Sequence, residues 1–89
     1  MYLTAELTMY PLSEEYEAPI LSFIGRLRKN EALTVVTNPM STQVVGPFEQ
    51  VMQTIQEAMA KHYAEQDKAA IVVKFLPGQL DITQPYELE

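Results

Sequence analysis

The chain is expected to fold as an α+β sandwich, a four-stranded antiparallel sheet carrying two helices on one face, and three observations predict it. Along the chain an alternating apolar run, a helical stripe, two short Val-rich runs, a second helical stripe and a last Val-rich run follow one another, which spells strand, helix, strand, strand, helix, strand. The second and third strand segments flank a short polar stretch around Pro39, as a hairpin requires. The 89 residues match one compact domain, 1–89, with a thin core. That order of elements is the split β-α-β arrangement of ferredoxin-like folds.

Each element has its own signal. In "YLTAELTMY" Leu3, Ala5, Leu7 and Met9 alternate with Tyr2, Thr4, Glu6, Thr8 and Tyr10, the pattern of a strand with one buried face, and Pro11 ends it. In "SEEYEAPILSFIGRLRKN" Ile20, Phe23, Ile24 and Leu27 have helical spacing. Pro19 would remove a hydrogen bond from a helix begun at Ser13, so the helix is expected to start near Pro19, with "SEEY" a separate turn and Asn30 a left-handed stop. "LTVVT" and "TQVVG" form the hairpin. Pro47 is placed at the first position of a second helix whose stripe is Phe48, Val51, Met52, Ile55, Met59 and Tyr63. "AAIVVKFLPG" is the last strand, and the tail beyond it is expected to add an edge strand through Leu80 and Ile82 or to dock on a neighbouring subunit. In this topology the first strand is central. Its outward residues Tyr2, Thr4, Glu6, Thr8 and Tyr10 then line the middle of the open sheet face.

Composition narrows the function. Twelve acidic against six basic residues, a net charge of −6, would repel a phosphate backbone and argue against nucleic acid as partner. Arg26, Arg28 and Lys29 cluster where a helix ends, as its dipole favours. The absence of Cys removes disulfides, thiolate nucleophiles and thiolate metal sites. The alternating first residues read as a strand and not a signal peptide, and no apolar run approaches the roughly 18 residues of a membrane span. The expectation is a cytoplasmic protein with no membrane partner. A hydrophobic content of 47% with five Met is generous for this size and predicts a homo-oligomer. The sole His, His62, falls at the edge of the second helix stripe and is expected at the surface or boundary. With no Ser-His or His-carboxylate spacing, neither catalysis nor a metal site is expected, and Glu6 acting alone as a base is the remaining catalytic alternative.

Three segments, "AELTMYPL", "TNPMSTQVVG" and "VVKFLPG", resemble those of the small thiamine-binding proteins of the YkoF-like family, in the same order and at similar spacing. The resemblance spans almost the whole chain, and "TN-x-MSTQ" is its most specific element because strand propensity does not explain it. It implies a ferredoxin-like domain that binds thiamine or its hydroxymethylpyrimidine portion, without an established catalytic step and with no cofactor beyond that bound ligand. It also implies a homo-oligomer, since single-domain members often form tetramers. Pro47 departs from the family, which favours an acidic residue there; at a helix start it should alter capping more than the ligand site.

Thiamine joins an aminopyrimidine to a cationic thiazolium, so its site needs a few placed polar groups on a mostly apolar floor. Glu6 can accept from the exocyclic amine, while Thr8, Thr37, Asn38, Ser41, Thr42 and Gln43 supply further donors and acceptors. Tyr10 can present an aromatic face to the thiazolium and Met40 a flexible thioether. Each has a structural alternative. Glu6 can pair with Lys74 or a subunit cation, the threonines can be ordinary strand residues, and Asn38, Ser41 and Thr42 can bond the turn backbone around Pro39. Tyr2 and Tyr10 can fill a subunit contact and Met40 the turn. No Gly-rich loop or paired cations accompany the motif, which favours free thiamine or the bare pyrimidine over the diphosphate. Carriage, salvage or sensing of the vitamin would follow; the rival is an assembly or regulatory module whose open face is buried against a copy of itself.

Overall fold

A computed structural model describes residues 1–65 and 68–85. The elements follow in the expected order: β1 (Tyr2–Pro11), α1 (Glu17–Arg28), β2 (Thr34–Thr37), β3 (Thr42–Pro47), α2 (Phe48–Glu65) and β4 (Ala69–Pro77). The sheet order is β2-β3-β1-β4 and every pairing is antiparallel. Both helices pack on one face, where Leu3, Ala5, Leu7 and Met9 of β1 join Phe23, Leu27, Val44, Val51 and Ile55 in the core. The period of two then places Thr4, Glu6, Thr8 and Tyr10 on the opposite face, beside Leu76, Lys74, Val72 and Ala70 of β4.

Local chemistry sets the boundaries, and the structure departs from expectation in five places. Helix α1 begins at Glu17, two residues before Pro19, so Pro19 occupies the first turn, where an N–H would have no intrahelical partner. Ser13 stays outside it, its hydroxyl donating to the Glu15 carbonyl at 2.7 Å. Asn30 is not left-handed, since no described non-glycine residue has a positive φ. Its side chain closes the helix differently: Oδ1 accepts from the Ala32 N–H at 3.0 Å while Nδ2 donates to Gln50 at 2.8 Å and Thr54 at 2.9 Å, both on α2.

Pro47 ends β3 and does not open α2. It faces Tyr2, whose carbonyl is turned to the other side to accept from Gly78 N–H at 2.9 Å, so the missing proline donor breaks no rung of the ladder. On α2 the buried line is Val51, Ile55, Ala58 and His62, spaced four, three and four, with Thr54 beside it; Phe48, Met52 and Tyr63 are exposed. His62 is therefore a core residue, 1% exposed, and not a surface or boundary one. Helical geometry puts it one turn beyond Ala58 on the core side.

The tail adds no strand in its described part. Gly78, with φ of 109°, uses a conformation open to glycine to turn the chain back over the open face. There Thr4 Oγ1 donates to the Gly78 carbonyl at 2.9 Å and accepts from Leu80 N–H at 3.2 Å. This is why Thr4, on the solvent side of the sheet, is buried. Among the described residues no helix is long and apolar enough to cross a membrane.

Candidate functional site

The hairpin between β2 and β3 is held by its own residues. Thr37 and Thr42 face each other across its closing pair. Asn38 N–H donates to the Ser41 carbonyl at 3.0 Å, and Asn38 Oδ1 accepts from the N–H groups of Met40 (2.8 Å) and Ser41 (3.0 Å). Asn38 thus organises the four-residue turn as an Asx residue does, with Pro39 needing no donor inside it. The turn-bonding alternative holds for its carbonyl oxygen, whereas its Nδ2 makes no bond among the described residues.

Beneath this turn, between α1 and the end of the sheet, lies a cavity of about 150 Å³. Leu7 and Met9 of β1 and Ile20, Phe23 and Ile24 of α1 line it with apolar surface. Thr37, Asn38, Ser41 and Thr42 line it on the polar side, and Met40, 81% exposed, stands at its margin. Thr42 lies opposite Leu7 in the sheet and so points to the helix face; its hydroxyl meets that of Thr37 at 3.1 Å.

The open face holds a second grouping. Glu6 Oε1 pairs with Lys74 Nζ at 2.9 Å, and Ser41 Oγ donates to Glu6 Oε2 at 2.8 Å while accepting from Gln43 Nε2 at 2.7 Å. The Lys74 ammonium first, and the Ser41 hydroxyl next, hold the Glu6 carboxyl below its ordinary range against the opposing effect of burial. The groove around this pair, about 470 Å³, is walled by Phe75, Leu76 and the tail residues Leu80 and Ile82.

The single cradle expected on the open face therefore resolves into two places. Side chains of adjacent strand residues point to opposite faces, so Glu6 and Gln43 belong to the open face while Thr37 and Thr42 belong to the cavity. Ser41 joins the two, bordering the cavity and bonding Glu6. Thr8 also borders the cavity, although its register places the side chain on the open face. Tyr10 lines neither; it is exposed opposite Ala70. Met40 is no turn-filling core residue, and Glu6 has the Lys74 pairing that was its structural alternative. The α1 residues Ile20, Phe23 and Ile24 were legible only as a helix stripe, which signals burial without saying what they bury against. Among the described residues no group of three His, Asp or Glu side chains is placed to hold a metal ion.

No protein-family model matches the chain, and no curated protein matches it. Solved structures do. Protein SP2199 from Streptococcus pneumoniae is 28% identical with a TM-score of 0.79, the match covering 90% of each chain. A Thermotoga maritima protein, TM0486, described provisionally as a thiamine biosynthesis or salvage protein, is 17% identical with a TM-score of 0.79, covering 92% of this chain and 91% of that one. A domain of unknown function, DUF77, from Bacillus cereus is 10% identical with a TM-score of 0.66, covering 92% and 84%. At these identities the likeness to the last two is one of fold: a four-stranded antiparallel sheet with two helices.

Proposed function

We propose that this protein binds thiamine or its hydroxymethylpyrimidine portion without catalysis, in the manner of the YkoF-like proteins, and that the ring sits in the cavity under the Asn38–Ser41 turn. The observation that carries this reading is the make-up of the cavity. It has an apolar lining from β1 and α1 and a polar side built from the residues of "TNPMST", the combination a small heteroaromatic ligand requires. The thiamine-related description of TM0486, which shares the fold, lends it support. A cavity of about 150 Å³ falls below the roughly 300–1,000 Å³ of pockets that enclose drug-sized ligands. The pyrimidine is then the enclosed anchor, and the thiazolium lies at the mouth near Met40.

On this reading Glu6 does not touch the ligand. Its two oxygens are engaged by Lys74 and Ser41 on the other side of the sheet. A carboxyl held below its ordinary range is also a poor general base near neutrality, which runs against the catalytic alternative. Homo-oligomerisation through the open face, uncovered by any helix, belongs to the same proposal.

The test is a thermal shift followed by calorimetry. Ligand at one hundred times Kd should stabilise the fold by about 2.7 kcal/mol, raising the melting temperature by on the order of 10–20 °C. Thr42→Val, close in shape, should weaken binding about two- to tenfold through its lost hydroxyl, while Glu6→Gln should change it by less than about twofold. Absence of any shift with thiamine and with the pyrimidine overturns the proposal. A large loss in Glu6→Gln with none in Thr42→Val moves the site to the open face.

A further inference from the structure

The ladder between β1 and β3 stops at Leu7 opposite Thr42, whereas β1 continues to Pro11 against β4. In an antiparallel strand, successive residues direct their peptide groups to alternate sides. The Tyr2 carbonyl accepts from Gly78 and the Leu12 N–H donates to Lys68, both on the β4 side, while the Met1 carbonyl accepts from Phe48 on the β3 side. Even-numbered residues of β1 therefore turn their N–H and C=O toward β4, and odd-numbered ones toward β3. Leu7 is the last odd residue that β3 reaches. Met9, two residues on, directs both groups into the space beside the Asn38–Ser41 turn, where no strand runs.

Met9 is 8% exposed and lines the cavity. Among the described residues the turn sends no backbone hydrogen bond to it. A buried backbone donor and acceptor without partners are rare in folded chains, and here both stand at a cavity wall. The geometry points to the Met9 peptide N–H and C=O as the hydrogen-bonding edge of this cavity, reading a flat heteroaromatic ring that carries an amino group next to a ring nitrogen. The N–H and C=O of one extended residue face the same way and ordinarily receive the C=O and N–H of a partner strand. A ring nitrogen beside an exocyclic amine offers the same acceptor and donor side by side in one plane. Addition of a further polypeptide strand fits less well, because the next residue on this edge is Pro11, which has no N–H to continue the ladder.

This inference rests on the aminopyrimidine reading above and adds how the ring is recognised. It is tested by amide hydrogen exchange on the isotope-labelled full chain, with hydroxymethylpyrimidine as probe and its N,N-dimethylated analogue as control. Without ligand, the Met9 amide should exchange much faster than that of Leu7, which β3 protects. Saturating hydroxymethylpyrimidine should slow Met9 at least about tenfold and move its proton resonance downfield, and the dimethylated analogue, lacking the donor, should bind about tenfold more weakly or worse. A Met9 amide already as slow as Leu7 without ligand, or one left unchanged by a pyrimidine that demonstrably binds, overturns the inference while the binding function stands. If neither the pyrimidine nor thiamine binds, the function itself is overturned, and the inference with it.

Discussion

His62 shows how one residue can work against the fold that holds it. Its ring is buried with neither nitrogen hydrogen-bonded among the described residues, edge-on to Phe23 at a centroid distance of 6.1 Å and to Tyr63 at 5.7 Å. Burial first, then the nearby Arg26 guanidinium, hold its pKa below the ordinary 6.5, with Glu65 pulling the other way and Arg26 and Glu65 ion-paired to each other. The unfolded chain therefore binds the His62 proton at higher pH than the folded chain does. Stability is highest above pH 6.5 and falls as pH drops from there, until the folded imidazole also protonates. His62→Leu, of similar size, removes both the titration and the unpartnered groups, whose cost is about 1–3 kcal/mol. Its melting temperature relative to the natural chain should be higher at pH near 5.5 than at pH near 8; an equal difference at both would show that folding leaves the imidazole pKa unshifted. Glu6 is the contrast. Its partner Lys74 is 77% exposed, so solvent screens the pair to less than about 1 kcal/mol, and its value lies in positioning Ser41.

Among the elements, the contact between the two helices hangs partly on Asn30. Helical spacing, the prolines and the Val-rich runs made every element legible from the sequence, because those signals are local. What a polar side chain reaches for at a helix end is not local: Asn suits a left-handed stop, yet this one spans to Gln50 and Thr54. The two roles predict opposite responses to glycine. With the side chain as a bridge between helices, Asn30→Ala and Asn30→Gly should each cost about 1–3 kcal/mol by urea unfolding, since the largely buried Thr54 hydroxyl loses a partner. A glycine variant as stable as the natural chain would restore the left-handed stop. The edge strand expected of the tail is not formed in its described part, for a related reason. Leu80 and Ile82 carry strand spacing, but the turn at Gly78 sends them across Thr4 instead of along β4.

Seen whole, the molecule has one face closed by helices and one left open. Tyr10, Val72, Leu76 and Leu80 are each about half exposed and lie on or beside the open side, an apolar presence beyond what an isolated small domain ordinarily shows. We expect sedimentation to give a mass of at least two chains. Val72→Asp, which plants a charge on the β4 side of the open face, should shift it to the single chain without changing the circular dichroism of the fold. A natural chain that sediments as one copy at every concentration would remove the open face from this role. The expected apolar surplus was readable in composition; where it would be displayed was not, since that depends on which face the helices choose.

What the sequence by itself determined is the set of elements, their order, and through the period of two the partition of β1 into a buried and an open face. Only the tertiary structure decided which functional groups meet. Glu6 and Thr42 sit on neighbouring strands and read as one polar cluster, but adjacent positions on a pleated strand point apart. The sheet therefore stands between them, Glu6 with Lys74 on one side and Thr42 with Thr37 on the other. The same holds for Met9, whose side chain reads as core while its peptide groups acquire meaning from where a different strand happens to end.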